Sequence, residues 1–373
     1  MNSRERFALV MSHTTPDRTP IDIGGTSLTG MRPQCQENLR QLLGFSRVPE
    51  ALHHGIDEKI LEWAGTDFRS VGAIVDLPGP HTRRISDQAY IDCWGIRRDF
   101  NHGEWQITHS PLAGASLDDL KSYPWPAGRV DEKQLGGWEN QAKSLCQHSP
   151  YVVVGEHPVY GILELGCWMC GYNEFLLKLA ADIDFVNYFF DKILEIQLAV
   201  IDQYYAVLGP YISLTTSGDD FGSQNGPLLS PAMFAQLVAP YFTERIKRTK
   251  EIAQCYYWHH TCGSVVRLLD QIIDCGVDIL NPIQTSAAGM DPGFLKARYG
   301  QQLVFWGAVD IQQFLPQATR PEIETHITEL LDVLGKDGGY VMAPSHEIQE
   351  DVSAENIAAW IETFHHYSRS LRA

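Results

Sequence analysis

Short apolar or β-branched runs bounded by Gly, Pro, Asp or Asn recur eight times along the chain, at Pro20–Gly24, Phe68–Val75, Tyr151–Gly155, Ile212–Ser217, Gln254–His260, Asp278–Pro282, Leu303–Gly307 and Tyr340–Pro344. Runs of this length with such borders predict strands. Most are followed by longer segments with helical spacing. Asp182–Tyr205 carries Ile183, Val186, Phe190, Ile193, Leu194 and Ile201 on one face, interrupted by the polar Gln197, and Ser264–Cys275 and Pro321–Leu334 repeat the pattern. Ser230 and Pro231 open a further helix as a capping residue followed by Pro at the first helical position, and Gly161–Leu179 reads as another. Eight strands alternating with helices predict an α/β fold, a (β/α)8 or TIM barrel.

The stretch from about residue 79 to 149 fits this repeat least well, being rich in Trp, Pro, His and Asp. It is too long for a barrel connection and too aromatic for a linker. The expectation is one barrel domain over residues 1–373, with an insertion after the second strand packed over one end. The length of 373 residues and 44% hydrophobic content sustain a core of that size.

The formal charge of −17 repels phosphate backbones and anionic membranes, which argues against a nucleic-acid or membrane partner. The first twenty residues lack the apolar core and cleavage site of a signal peptide, and no run reaches the roughly 18 apolar residues of a spanning helix. A cytoplasmic location is expected. Eight scattered Cys then read as thiols or metal ligands rather than as disulfide staples.

The strand ends carry a dense polar set: Asp22, Glu156, His157, Asp219, Asp220, His259, His260, Cys262, Asn281, Gln284, Asp310, Ser345, His346 and Glu347. In a (β/α)8 barrel these ends converge on one mouth, where active sites are built, so the pattern points to an enzyme acting on a small molecule. His260-Thr261-Cys262-Gly263 is the sharpest local signal. Imidazole and thiolate two residues apart on an extended end can face one side, both are good zinc ligands, and His346 is the natural third. Asp220 or Glu156 could be a fourth ligand or orient an imidazole. The bland alternative is a strand-end His that is merely hydrogen-bonded. Cys167-Trp168-Met169-Cys170 lies in an apolar helical run and reads as packing. Trp94, Trp105, Tyr123 and Trp125 fit a substrate pocket or a packed insertion equally well, while Arg83, Arg84, Arg97 and Arg98 could receive carboxylates or stay solvated.

His260–Gly263, together with GVDILNPIQ (Gly276–Gln284), FWGAVD (Phe305–Asp310), IQEDVSAENI (Ile348–Ile357), GDDFGSQNGPLLSP (Gly218–Pro231) and DCWGI (Asp92–Ile96), resembles the uroporphyrinogen decarboxylase superfamily. The likeness runs from about Ser3 to Phe364, with its motifs in order. One branch decarboxylates a tetrapyrrole without metal and carries an R-Q-A-G-R-Y-like segment near the N-terminus. Here that region reads IDIGGTSLTGMRP, with Arg32 alone. The other branch, the cobalamin-related zinc methyltransferases, carries an H-x-C segment, matched by His260 and Cys262, and a late Cys whose place is taken here by His346 in APSHEI.

This second resemblance implies zinc on His260, Cys262 and His346, and Asp220 or Glu156 orienting groups or moving protons. Asn281, Gln284 and Asp310 would then line a cofactor-receiving mouth. It implies a methyl group moved between a small methylated substrate or a thiol and a corrinoid on a separate carrier protein. The alternatives are a decarboxylase depending on Asp22 or Asp76, and a non-catalytic corrinoid or ligand-binding protein.

Overall fold

The computed structural model describes residues 1–46, 52, 53, 55–101 and 103–370. After a capped N-terminal helix, α1 (Ser3–Met11), come the parallel strands β1 (Phe68–Val71), β2 (Val152–Gly155), β3 (Leu214–Thr215), β4 (Tyr256–His260), β5 (Ile279–Ile283), β6 (Val304–Val309) and β7 (Tyr340–Pro344), paired in that order. The expected first strand, Pro20–Gly24, forms only a bridge. It nevertheless closes the cylinder. Ile21 pairs with Met342 on one side, with hydrogen bonds Asp22 N to Met342 O and Met342 N to Pro20 O, and on the other side Asp67 N donates to Ile21 O. The result is an eight-stave (β/α)8 barrel.

Alternation along the staves separates an inner from an outer layer. Phe68, Val152, Val154, Leu214, Trp258, Ile279, Val304, Trp306, Val341 and Ala343 form the interior cluster. The indoles of Trp258 and Trp306 stack with centroids 4.7 Å apart. Phe7 and Val10 of α1 join that cluster from the N-terminal ends of the strands, where Arg4 also donates to the carbonyls of Leu145, Ser149 and Tyr151. The barrel is therefore solid and floored. One step further along the inward-facing parity come polar residues: Glu156 beyond Val154, His260 beyond Trp258, Asn281 beyond Ile279 and Ser345 beyond Ala343.

Between β1 and β2 the chain forms a four-stranded antiparallel meander (Arg83–Ser86, Ala89–Ile91, Arg97–Asn101, Glu104–His109), a short helix (Leu117–Ser122) and α2 (Glu132–His148). The outer ring includes α3 (Ile162–Cys170), α4 (Ile183–Leu208) and α5 (Ala239–Ala253), which packs on α4. Gln197, the polar residue on the apolar face of α4, is buried because its amide donates to the Tyr160 carbonyl at 2.9 Å. The expected helix Gly161–Leu179 is two helices, broken at Gly171 (φ 90°). Cys167 and Cys170 sit in the apolar core as free thiols. Among the described residues no helix is long and apolar enough to cross a membrane.

Closure rests on Asp67, which is fully buried. Its carboxylate accepts hydrogen bonds from Ser3 Oγ (2.8 Å), Arg6 Nη1 (2.7 Å), Arg18 Nη1 (2.7 Å) and Nη2 (3.0 Å), and Ile21 N (2.9 Å). Removing one partner of a buried ion pair leaves the other charge uncompensated, at a cost of about 3–5 kcal/mol. Asp67→Ala is expected to lower unfolding stability by about that amount in urea titrations, with Asp67→Asn less damaging because the amide oxygen still accepts hydrogen bonds. An unchanged midpoint in the alanine variant would contradict this role.

Candidate functional site

At the C-terminal end of β4 the chain turns sharply so that His260 and Cys262 face the same side. The turn is pinned from three directions. Asp220 Oδ1 accepts from Cys262 N at 2.7 Å, Gln284 Oε1 accepts from Gly263 N at 2.7 Å, and Thr261 N donates to Asn281 O at 2.7 Å. Gly263 has φ +80°, and a Cβ there would lie 2.6 Å from the Ser223 carbonyl oxygen, so only glycine fits.

The tautomer of His260 follows from its surroundings. Asn281 Nδ2 donates to the Trp306 carbonyl at 3.2 Å, which turns its Oδ1 toward His260 Nδ1 at 2.6 Å. Nδ1 therefore carries the proton, and the Nε2 lone pair faces Cys262 Sγ at 3.2 Å. His346 completes the group, its ring 5.5 Å from that of His260, and the ligand atoms of His260, Cys262 and His346 all lie within 4.8 Å of one another. His346 stands at the solvent-facing rim. The protein crowded around its ring and the adjacent His260 disfavour its cation and hold its pKa at about 4, so it is neutral at physiological pH. Burial, reinforced by the Asp220 carboxylate, pushes the Cys262 thiol up. A cavity of about 200 Å³ opens here, lined in part by Cys262, Gln284, Gln312, Ser345 and His346.

The bonds of a zinc ion to N and S, about 2.0–2.3 Å long, place tetrahedral ligands less than about 4 Å apart. One soft thiol and two imidazoles, with a free Nε2 lone pair on a His oriented by Asn281, form a donor set that fits one such ion after small side-chain rotations.

The other sequence candidates take several places. Asp22 and Glu156 act on the loop after the first stave: Asp22 accepts from Gly25 N, Thr26 Oγ1 and Thr29 Oγ1, and Glu156 accepts from Ser27 N, Ser27 Oγ and Thr216 Oγ1. Burial raises Asp22 to about 7. Gln284, besides holding Gly263, donates to Gln224 and Gln312. Asp310 accepts from the amides of Gln312, Gln313 and Phe314. Burial alone would raise its carboxyl, but these donors hold it below the usual range. His157 and His259 fall on the outward parity. His157 meets the Tyr205 hydroxyl at 2.7 Å, and His259 meets the Ser217 hydroxyl at 2.9 Å against the rings of Phe221 and Phe242. Glu347 pairs with Arg32 at 3.4 Å.

One site residue was missed in the sequence. Glu164, in the first turn of α3, lies within electrostatic range of His260, Cys262, Asp219 and Asp220. Burial, together with the charges of Asp219 and Asp220, raises its pKa to about 8. Its position depends on Asp219, whose oxygens accept from Leu163 N at 3.1 Å and Glu164 N at 2.9 Å. Gly161 permits that approach, since a Cβ there would lie 2.3 Å from the Asp219 carboxyl carbon. Burial lifts Asp219 to about 6, against the pull of Arg245. The available signal was one acid inside the otherwise apolar run GILELGCWMC.

No curated protein sequence matches the chain. Among solved structures, a methyltransferase from Methanosarcina mazei shares 16% identity and a TM-score of 0.66, with 98% of this chain and 99% of that chain covered. A GH113 beta-1,4-mannanase (11% identity, TM-score 0.37, 96% and 99% covered) and xylanase 10B from Thermotoga maritima (8%, 0.39, 65% and 82%) follow at scores too low to carry an argument. The first likeness shows a shared fold over nearly the whole length. The uroporphyrinogen decarboxylase (URO-D) family model matches residues 159–367, a span that holds Glu164, His260, Cys262 and His346. The chain belongs to the uroporphyrinogen decarboxylase family.

Proposed function

We propose that this protein is a zinc-dependent methyltransferase that moves a methyl group between a small methylated substrate or a thiol and a corrinoid on a separate carrier protein. The observation that carries the reading is the convergence of His260, Cys262 and His346 at the barrel mouth, with the His260 tautomer set by Asn281. The fold shared with the Methanosarcina mazei methyltransferase is consistent with it. Tetrapyrrole decarboxylation is disfavoured by a second observation. Arg32, the one arginine of the Ile21–Pro33 region, is engaged by Glu104, Glu347 and Gln349 and is not held ready for substrate carboxylates.

His260, Cys262 and His346 would hold the zinc ion, which when bound supplies Lewis acidity at an open coordination position. Asn281 keeps the His260 proton on Nδ1 and the lone pair on Nε2. Asp220 fixes the main chain of Cys262. Glu164, protonated at neutral pH, is the group that can give a proton from its carboxyl oxygen to a heteroatom that has lost its methyl group, and take one back in the reverse direction.

The zinc reading predicts about one zinc per purified chain by elemental analysis. Cys262→Ala and His346→Ala should each reduce occupancy at least tenfold after dialysis, and Asn281→Leu should weaken zinc affinity roughly 10- to 100-fold by freeing the His260 ring. Stoichiometric zinc in Cys262→Ala would sink the assignment. Methyl transfer itself is checked by the spectral change of methylcobalamin on addition of a thiol.

Glu164 yields a pH prediction. Its folded pKa of about 8 lies above its ordinary value of 4.5. Below 4.5 both folded and unfolded states are protonated. As pH rises through the interval to about 8 the unfolded chain ionises first, and stability falls. Glu164→Gln mimics the neutral acid and should flatten the decline of the melting temperature between pH 5 and 8, while removing the basic limb from the pH profile of methyl transfer. An unaltered pH–stability curve in Glu164→Gln would exclude the raised pKa.

A further inference from the structure

A second cavity, of about 430 Å³, lies between the meander and the loops that follow β1 and β2. Its wall includes Asp76 from the first loop, Arg83, Tyr90, Trp94 and Trp105 from the meander, and Tyr160 from the second loop. The rings of Tyr90 and Trp105 meet edge to face at 4.8 Å and form one corner. Of the other aromatics singled out in the sequence, Tyr123 and Trp125 are packing residues: the Tyr123 hydroxyl donates to the Trp94 carbonyl, and Trp125 rests on Tyr123 and Phe189.

The charges divide unequally. Arg84 pairs with Asp87 at 2.7 Å, and Arg98 approaches Asp92 at 3.6 Å. The side chains of Asp76 and Arg83 have no hydrogen-bond or ion-pair partner among the described residues, and both residues are exposed at the cavity. On the protein side of the cavity the Tyr160 ring lies 5.0 Å from that of Trp168, one helical turn beyond Glu164.

One uncompensated anion and one uncompensated cation on a wall of aromatic rings set the chemistry of the occupant. An aromatic carboxylate would satisfy Arg83 but meet repulsion from Asp76 in a protein of charge −17. A ligand carrying both charges satisfies both residues, and an N-methylated ammonium is the cation that ring faces attract. We propose that this cavity binds a small zwitterion with a methylated ammonium group and a carboxylate, the chemistry of glycine betaine. Its service as the methyl donor, in which the N–CH3 bond breaks, the methyl group passes to the reduced corrinoid of the carrier and dimethylglycine leaves with the nitrogen lone pair, rests on the methyl-transfer reading above; its binding does not.

Calorimetric titration of the full-length protein with glycine betaine tests this. Saturable binding is expected, weakened at least tenfold by Asp76→Asn and by Arg83→Gln, both at exposed positions that leave the circular dichroism unchanged. Trimethylamine, which lacks the carboxylate, should respond to Asp76→Asn and not to Arg83→Gln. Cys262→Ala should bind glycine betaine as the parent does, so that binding without methyl transfer would count against the reaction alone. The proposal is overturned if glycine betaine does not bind, if neither variant alters its affinity, if Cys262→Ala abolishes it, or if 4-methoxybenzoate binds more tightly.

Discussion

The carboxylate of Asp67 is the junction on which the barrel depends. A sheet of seven parallel strands has two open edges, and here the stave between them is a bridge rather than a strand, held by few main-chain hydrogen bonds. Asp67 supplies what that stave lacks. It binds the Ile21 amide directly, fixes Arg18 beside it, and reaches through Ser3 and Arg6 to the helix that floors the interior. Two guanidinium groups around one buried carboxylate are a costly arrangement unless every partner is present, so the same interaction that closes the cylinder also fixes its register.

The mouth is organised by a similar economy of carboxylates and amides. Asp22, Glu156, Asp219, Asp220 and Asp310 all accept main-chain N–H groups, and each thereby fixes a loop. Many acids at strand ends thus act as scaffolding for the smaller group of side chains they position. Asp219 shows the distinction well: it holds the first turn of α3, which carries Glu164 within electrostatic range of His260 and Cys262.

The strands and the main helices were legible because their signals are local: β-branched runs bordered by turn residues, and apolar faces at helical spacing. Tyr340–Pro344 coincides with its predicted limits, and Arg320–Leu334 begins one residue earlier than expected. The approach of His260, Cys262 and His346 was legible because strand ends converge in this fold. Glu164 was not, since it lies in the first turn of a helix after a strand, within a run whose apolar character announces burial, and its environment is made by residues more than fifty positions away. The meander was opaque for the reverse reason. Its strands are largely exposed and rich in Arg and other polar residues, so they lack the apolar signal by which strands are recognised. Parity along β4 separated His259 from His260, a distinction available from alternation only once Trp258 is known to face inward.

The stacked indoles of Trp258 and Trp306 carry a consequence for the order of events. With these rings filling the barrel and α1 packed against its base, the described residues leave no route through the axis, and the mouth is the face open to ligands. Anything as bulky as a protein-borne cofactor that settles on that face stands across the path of the smaller molecule. Under the proposed methyl transfer, traffic would then be sequential: the small reactant would take its place before the large one arrives, and depart after it has gone.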